Sequence, residues 1–180
     1  RILDRELVEI DDVKLEGFDD LMCHLSFPFL ININDQLFMI PESSERKEVI
    51  LFQSVEFPTR WKKIKVLISD TEVTDNIFLS MNETCYLMST TMDNKIIIHS
   101  AEHLHGQWQR ITPALKVSNH HHRGAGAPYL VDNKMYFLTQ ECTPETYGKS
   151  IYIKELVTLN DATFDENLIE QINSSINHSD

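Results

Sequence analysis

Six polar residues occur at matching places in three similar stretches of the chain, where predicted β-strands begin or end. The starts of the first strands carry His24, Asp75 and Arg123, spaced by 51 and 48 residues. The ends of the second strands carry Glu42, Thr90 and Gln140, spaced by 48 and 50 residues. In a repeated β architecture such equivalent positions converge, so these side chains are predicted to line one mouth of a central funnel.

The chemistry of this set depends first on its two carboxylates. A pair of carboxylates across a sugar ring can act as general acid and base, or as acid and nucleophile, which makes Asp75 and Glu42 the candidate catalytic residues. Arg123 beside them is expected to lower their pKa values and to suit an anionic or hydroxylated ligand. His24, Arg123 and Gln140 are the candidate substrate-binding residues. A charge-paired structural role explains the same residues equally well, and so do exposed loops without a shared role.

The elements that must position these residues repeat along the chain. Three polar pairs, each of a kind typical of tight hairpin turns, separate short runs rich in Phe, Ile, Leu and Val. They are Asn34-Asp35, Asn82-Glu83 and Asp132-Asn133, spaced by 48 and 50 residues. Phe38, Tyr86 and Tyr136 share one place in this repeat, and Trp61 and Trp108 share another as packing anchors rather than sugar-stacking platforms. Four-stranded units of this length are typical of β-propeller blades.

The fold class predicted is therefore all-β, with about three to four propeller blades in the chain. The units cover residues 21–68, 73–117 and 121–158. Residues 1–20 are interpreted as the outer strand of a preceding blade, with the strand itself over 8–15, and 167–180 as a polar C-terminal tail. The polar string after Thr163 predicts a short helix from Asp165 to Ile172. Because three blades do not close a propeller, the chain is expected to associate with a missing blade, another domain or a second copy.

Composition excludes several classes of function. A net charge of −12 argues against nucleic acid as a partner, because phosphate binding needs a basic face. No apolar run approaches the roughly 20 residues of a membrane span, and the charged N-terminus does not resemble a signal peptide. Three cysteines, an odd number, favour free thiols in a reducing compartment, so a cytoplasmic location is expected.

No metal or cofactor is predicted. His120-His121-His122 has no spaced Cys or His partner, and consecutive strand residues point to alternate sides, so a solvated loop is the preferred interpretation. His103 and His105 are interpreted in the same way. The run from Arg123 to Gly126 is too short and isolated for a phosphate loop.

Several short motifs in one order carry a family resemblance over residues 23–166. They are HLSFPF, LFMIPESS, ILFQSVEFPTRW, the Asp of TDNIF, LHGQW, HRGAG, QEC and TYGKSIYIKEL. Together they resemble the N-terminal propeller domain of glucosamine inositolphosphorylceramide transferases. That domain is similar to bacterial proteins of surface-polysaccharide synthesis, some joined to formyltransferase-like modules, and to the five-bladed propeller of glycoside hydrolase family 43.

The chain also departs from that family's pattern. The resemblance implies a further blade at the start with an ADPF-like motif, whose Asp would correspond to a hydrolase base, and the given 180 residues do not contain this motif. Of the family's Arg-Pro-Ala-Gln run only Gln140 carries over, and Gly124 follows Arg123 where proline is common. No glycosyltransferase domain is present, so transferase activity does not carry over to this chain.

The first hypothesis is a carbohydrate-recognising propeller module that takes part in glycan, surface-polysaccharide or glycoconjugate biosynthesis. One alternative is a glycoside-hydrolase-like enzyme that uses Asp75 and Glu42. The other is a propeller that binds proteins.

Overall fold

A computed structural model describes residues 2–3, 5–6, 8–11, 14–117, 121–143 and 147–173. Within these residues the chain is built from β-strands, and the helical structure is one 3₁₀ turn, Ser44–Arg46. The sheets curl in the manner of propeller blades, so the all-β class and the propeller fold with about three blades are confirmed.

Blade 1 is an antiparallel four-stranded sheet whose strands are adjacent in the order in which they occur in the chain. Its strands are β3 (Ser26–Ile33), β4 (Gln36–Glu42), β5 (Val49–Glu56) and β6 (Arg60–Ile68). Before it, β1 (Ile2–Leu3) and β2 (Glu9–Asp11) pair with each other in a separate two-stranded sheet. Of the single strand predicted over 8–15, the described residues show Glu9–Asp11, which pairs with β1 and not with the edge of a blade; residues 12–13 lie outside the described ones.

Blade 2 repeats the arrangement of blade 1 in the order β7-β8-β9-β10. Its strands are β7 (Thr74–Met81), β8 (Thr84–Thr90), β9 (Ile96–Ala101) and β10 (Gln109–Ile111).

Blade 3 is larger and less regular. The short β11 (Ala114–Lys116) lies at its outer edge, parallel to the last strand. Its first strand is in two pieces, β12 (Arg123–Gly124) and β13 (Tyr129–Val131), which both pair with β14 (Lys134–Cys142). It is completed by β15 (Tyr147–Leu159) and β16 (Thr163–Asn173).

Strand β16 corrects two predictions about the end of the chain. The predicted helix from Asp165 to Ile172 is wrong, because these residues pair antiparallel with the long strand β15. The predicted tail is likewise wrong for residues 167–173, and residues 174–180 lie outside the described ones. Phe164 and Glu166 alternate inward along the start of β16, as side chains of a strand do.

The three predicted hairpin turns are confirmed. Asn34-Asp35, Asn82-Glu83 and Asp132-Asn133 join the first and second strands of the three blades, and all six residues have φ between 49° and 63°. Positive φ at both central residues defines the type I′ turn, whose twist matches that of a hairpin and which Asn and Asp tolerate best.

The blades pack face to face around one core. Phe38, Leu51, Leu87 and Phe137, from all three blades, belong to the same buried cluster. Trp61 and Trp108 are packed against apolar clusters, and their indole N–H groups donate to the carbonyls of Pro58 and Leu104. Their predicted role as packing anchors is confirmed.

Blade 3 also holds a fully buried ion pair. Lys154 Nζ lies 2.8 Å from Glu166 Oε1, and neither side chain is exposed to solvent. The amine also donates to the carbonyl of His121, which ties the connection before β12 to the blade. Burial lowers the pKa of Lys154, and the adjacent Glu166 carboxylate partly offsets that effect.

Candidate functional site

Three of the predicted residues meet where the three blades adjoin. Glu42 ends β4, Asp75 is the second residue of β7 and Arg123 begins β12. Arg123 Nε donates to Asp75 Oδ2 at 2.5 Å, and the Asp75 backbone N–H donates to Glu42 Oε2 at 3.3 Å. One ionisable side chain from each blade thus forms a continuous cluster.

Gln140 and Gly124 complete this cluster from blade 3. Gln140 lies opposite Arg123 in the β12–β14 ladder, and its amide Nε2 donates to the Gly124 carbonyl at 2.9 Å. A Cβ at Gly124 would lie 2.8 Å from the Asp75 carbonyl oxygen and 3.1 Å from its Cβ. The absence of a side chain there lets blade 3 approach Asp75 closely.

Asp75 owes its orientation to an irregularity in its strand. The β7–β8 register shifts between Thr74 and Ile77, and Asp75 has a φ of 48°, in the left-handed region. Blade 1 repeats this feature 48 residues earlier, where the register shifts between Ser26 and Phe29 and Phe27 has a φ of 42°. Bulges of this kind re-aim side chains and are frequent beside functional sites.

This equivalence corrects the place of His24 in the predicted set. Phe27, not His24, occupies the position in blade 1 that Asp75 occupies in blade 2. His24 precedes β3, its side chain is exposed, and its backbone N–H donates to the carboxylate of Glu45. The prediction failed because it aligned His24 at a spacing of 51 residues, whereas the strands are offset by 48.

Thr90 holds the second position of the predicted set in blade 2 and is buried rather than exposed in a loop. Its hydroxyl donates to the His122 carbonyl at 2.8 Å, and its own carbonyl accepts from Thr74 Oγ1 at 3.0 Å. It therefore links blade 2 to the connection that delivers Arg123.

Burial has the largest effect on the pKa of Asp75 in this cluster. Burial raises the pKa of Asp75 to about 6, Arg123 acts against this rise, and Glu42 adds to it. Arg123 thus lowers the Asp75 pKa as predicted, but the larger effect of burial leaves the net pKa raised. Taking a carboxylate out of water outweighs one adjacent guanidinium here.

The two carboxyl groups are not spaced like a glycosidase pair. Asp75 and Glu42 are in hydrogen-bonding contact, and this contact contributes to the raised Asp75 pKa. Pairs that flank a scissile glycosidic bond stand about 5–9.5 Å apart, so that a sugar, or a sugar with a water, fits between them. Two carboxyl groups in contact leave no room for a glycosidic bond between them.

A small apolar pocket of about 310 Å³ adjoins the cluster. It is lined by Phe27, Pro28, Phe29, Leu30, Gly126 and Ala127. Phe27 follows Ser26, which pairs with Glu42, and Gly126 lies three residues after Arg123. The polar cluster and the apolar pocket are thus neighbours along both chain segments. Sequence reasoning missed the pocket. The positive φ of Phe27, which lines it, is visible only in the structure.

A larger polar groove of about 1030 Å³ lies at the other ends of the strands of blade 2. Its lining includes Tyr86, Ser100 and the connection between β9 and β10. Lys65 of blade 1 holds that connection by donating to the carbonyls of His105 and Gly106. The groove does not contain any residue of the Asp75 cluster.

The histidine run is not the solvated loop that was predicted, as far as it is described. The ring of His121 stacks on Tyr152 with centroids 4.9 Å apart, and His122 is buried; His120 lies outside the described residues. Among described residues, no group of His, Cys, Asp and Glu is arranged to hold a metal ion. The described part of the chain also contains no helix long and apolar enough to cross a membrane.

Comparisons with solved structures agree with the propeller fold. A thermostable family-43 glycoside hydrolase aligns with a TM-score of 0.61 at 14% identity, over 84% of this chain and 54% of the hydrolase. An exo-β-1,3-galactanase from Phanerochaete chrysosporium, solved with β-1,3-galactotriose, aligns with a TM-score of 0.62 at 11% identity, over 84% of this chain and 39% of the galactanase. At these identities the likeness shows the fold alone.

Sequence comparison gives the family. Glucosamine inositolphosphorylceramide transferase 1 from Arabidopsis thaliana is 28% identical over 153 residues, which cover 79% of this chain and 20% of that protein. This chain therefore spans about a fifth of the length of that relative. The model of the family described as glucosamine inositolphosphorylceramide transferase 1, N-terminal, matches residues 17–179. The chain belongs to this N-terminal family of the transferase, and the predicted resemblance is confirmed.

Proposed function

We propose that this chain is a carbohydrate-recognising propeller module of glycoconjugate synthesis, which binds a hydroxyl-rich ligand at the Asp75 cluster. The observation that carries the proposal is the meeting of Glu42, Asp75 and Arg123 from three blades. Such a junction depends on the whole fold for its geometry, which is how propellers build ligand sites.

The cluster offers the chemistry that sugars and polyols require. Carboxylate oxygens accept from hydroxyl groups, while the guanidinium of Arg123 and the amide of Gln140 donate to them. The Arg123 side chain is 19% exposed, so the guanidinium reaches the surface although it is paired with Asp75. The adjacent pocket, with Phe27 and Leu30, supplies an apolar wall for the C–H face of a sugar ring.

The names of the relatives narrow the ligand class. The Arabidopsis thaliana protein is a transferase named for glucosamine and inositolphosphorylceramide, and this chain corresponds to a fifth of it. We propose that the module recognises the glucosamine or the inositol phosphate group, and that the transfer chemistry belongs to other parts of such proteins. An arginine at the mouth fits a phosphate as well as a hydroxyl.

One observation favours a second candidate, a glycosidase-like enzyme. A buried carboxyl whose pKa is raised to about 6 is typical of a general acid. Against it, the Asp75 carboxyl is engaged by Arg123 and is in contact with Glu42. Recognition without turnover is therefore the first proposal.

Calorimetric titration of the chain with glucosamine, inositol phosphate and β-1,3-galactotriose tests both candidates. Arg123→Met is expected to weaken binding about tenfold or more, since a charged hydrogen-bond donor is lost. Arg110→Met, at an exposed arginine of β10, is the matched control and should bind like the parent. The double variant Arg123→Met with Asp75→Asn removes both charges of the Arg123–Asp75 ion pair together and separates lost binding from lost folding.

The outcomes distinguish the candidates. Binding of one of these compounds that requires Arg123 supports recognition. Release of sugar from the galactotriose that disappears in Asp75→Asn supports the enzyme. If none of the compounds binds to the folded chain, or if the double variant binds like the parent, the site is elsewhere.

A further inference from the structure

The polar groove of about 1030 Å³ is formed by all three blades. Blade 2 contributes the start of β8, the end of β9 and the connection to β10, blade 1 contributes Lys65, and blade 3 contributes the turn between β15 and β16. The volume is at the upper end of the range for ligand pockets, roughly 300–1,000 Å³. The groove therefore has room for several linked rings rather than one.

One row of hydrogen-bonding side chains crosses blade 2 within the groove. Ser100 of β9 pairs with Tyr86 of β8 on one side and with Gln109 of β10 on the other. Residues directly opposite one another in a ladder share a face of the sheet, so two hydroxyl groups and an amide are aligned across three strands. The row presents a hydrogen-bonding group about every 4.8 Å, the distance between neighbouring strands. This arrangement suits a ligand that carries hydroxyl groups along its length.

Tyr86 shows most directly that the groove needs a polar occupant. It is only 6% exposed, and it belongs to the core cluster. Among the described residues its hydroxyl has no hydrogen-bond partner, yet this atom is not shut off from solvent, so it opens into the groove that Tyr86 lines. A tyrosine hydroxyl at a buried position usually finds a partner. Here the partner is supplied by whatever fills the groove.

Two loops that line the groove are held in place by hydrogen bonds. The amine of Lys65 donates to the carbonyls of His105 and Gly106 at 2.9 and 2.6 Å. In the turn of blade 3, Asn160 Oδ1 accepts from the backbone N–H groups of residues 162 and 163, both at 2.9 Å. A site that is ordered before binding loses less conformational entropy when the ligand arrives.

The charges of the groove disfavour an anionic ligand. Among the described residues that line it, Lys65 is the only lysine or arginine, whereas Glu102 and Asp161 contribute two exposed carboxylates. At the Asp75 cluster, by contrast, Arg123 suits a phosphate. The groove and the cluster therefore differ in the ligands that they favour.

We propose that this groove is a second ligand site, which binds a neutral oligosaccharide through the row of Tyr86, Ser100 and Gln109. The described lining has no Leu, Ile, Val, Met or Phe side chain that would anchor a peptide or a lipid chain. Neutral hydroxyl groups match its hydroxyls, amides and carboxylates, since each can both donate and accept. The site shares no residue with the Asp75 cluster, so it does not depend on binding there.

NMR titration of the isotope-labelled chain with trisaccharides tests the proposal. The neutral probes are β-1,3-galactotriose, cellotriose and α-1,4-galactotriose, and the acidic probe is α-1,4-trigalacturonic acid, which differs from the last of these by its carboxylates. At least one neutral probe should shift the amide signals of Tyr86, Ser100 and Gln109. The acidic probe should bind about tenfold more weakly or not at all, because carboxylates already line the groove.

Variants separate the groove from the rest of the chain. Tyr86→Phe removes one hydroxyl and keeps the packed ring, so the chain should fold while affinity falls about three- to tenfold. Adding Gln109→Ala should bring the loss to about tenfold or more. Tyr129→Phe is the matched control, at an exposed tyrosine that stacks on Tyr136 in blade 3, and should bind like the parent.

The double variant Arg123→Met with Asp75→Asn distinguishes this site from the proposed function. It should leave the signal shifts in the groove unchanged. If those shifts disappear with it, or if the trisaccharides shift only signals around Asp75, the groove is not a separate site and this proposal is overturned. The proposal is also overturned if no neutral probe shifts the groove signals, if Tyr86→Phe and Tyr129→Phe bind alike, or if the acidic probe binds as tightly as its neutral counterpart.

Discussion

The outer faces of blade 1 and blade 3 both carry apolar side chains, yet only those of blade 1 are covered. On blade 1, Ile50 and Phe52 are fully buried, and the ring of Phe18 lies 4.8 Å from that of Phe52. On blade 3, Ile151 and Ile172 are 38% and 48% exposed. The difference lies in a short segment before blade 1. The face of blade 3 also carries Glu155 and Glu170, which pair with Tyr136 and Ile153.

That segment is held by backbone hydrogen bonds to the edge of β6. The Glu16 N–H donates to the Thr59 carbonyl at 2.8 Å, and the Trp61 N–H donates to the Glu16 carbonyl at 3.0 Å. A few residues thus both pair with the backbone groups of a strand edge and cover an apolar face. A covered apolar face contributes to the stability of the chain, whereas the exposed side chains of blade 3 contribute less.

The first test of this comparison has the largest expected effect and uses two equivalent aromatic residues. Phe38→Ala is expected to lower the free energy of unfolding by about 3–5 kcal/mol, because it leaves a cavity in a packed core. Tyr136→Ala should cost only about 1–2 kcal/mol, mainly its stacking on Tyr129 and its partial burial. Urea denaturation measures both. Equal losses would show that blade 3 is covered on both sides.

A second test removes the cover of blade 1. Gly17 has a φ of 98°, and a Cβ there would lie 1.9 Å from the Trp61 carbonyl oxygen. Gly17→Ala is therefore expected to detach the segment at a cost of about 2–3 kcal/mol. The fluorescence of Trp61 should shift to the red, and binding of the dye ANS should increase.

Gly148→Ala is the matched control for Gly17. It also has positive φ, 65°, but its Cβ would meet only the Gln140 side chain, at 3.5 Å. A cost of about 1 kcal/mol from backbone strain alone is expected there, without the change at Trp61. If both variants behave alike, strain and not the cover accounts for the effect.

A third test uses two buried groups, Asp75 and His99, as probes of pH. The pKa of Asp75 is raised to about 6, so the folded state holds this proton more tightly, and stability falls as pH rises from about 4 to 6. Burial, with a smaller effect of Arg110, lowers the pKa of His99 to about 4. The folded state therefore binds that proton less tightly, and stability rises with pH over about 4 to 6.5.

The two groups oppose each other in the parent chain, and single variants should separate them. Asp75→Asn is expected to make stability increase more steeply between pH 4 and 6, while His99→Gln should make it increase less or fall. Each slope changes by at most about 1.4 kcal/mol per pH unit, the value for one proton. When the two variants are compared with each other, the contribution of the remaining carboxylates to the pH dependence of stability cancels. Identical pH profiles would show that neither group is buried in solution.

Local chemistry explains why the hairpins could be predicted and the last strand could not. A type I′ turn depends on its two central residues, so Asn34-Asp35 and its counterparts are legible in the sequence. In β16, by contrast, Phe164, Leu168 and Ile172 repeat every four residues and resemble one helical face. The 13 residues of β15 offer a long pairing edge, and this distant partner overrides the local pattern.

At the site, too, features that depend on the sequence repeat could be predicted, and features that depend on packing between blades could not. The convergence of Glu42, Asp75, Arg123 and Gln140 was predictable, because it follows from the spacing of the repeat. The exchange of His24 for Phe27 was not, because a bulge and an error of three residues in the alignment hide it. Nor could the net rise of the Asp75 pKa be predicted, since it depends on burial between blades, which residue types alone do not give.

The smallest expected effect is the sharpest test of the exposed face of blade 3 around Ile151. Ile151→Lys places a charge in the third strand of blade 3, on a face exposed to solvent, so the free energy of unfolding should change by no more than about 0.5 kcal/mol. Binding of ANS should decrease, since the apolar surface is interrupted. Ile50→Lys, in the third strand of blade 1, is the matched control at a fully buried position. There the same side chain would bury an unpaired charge and should prevent folding at ordinary temperature. If Ile151→Lys also unfolds the chain, blade 3 is already covered in solution and its difference from blade 1 disappears.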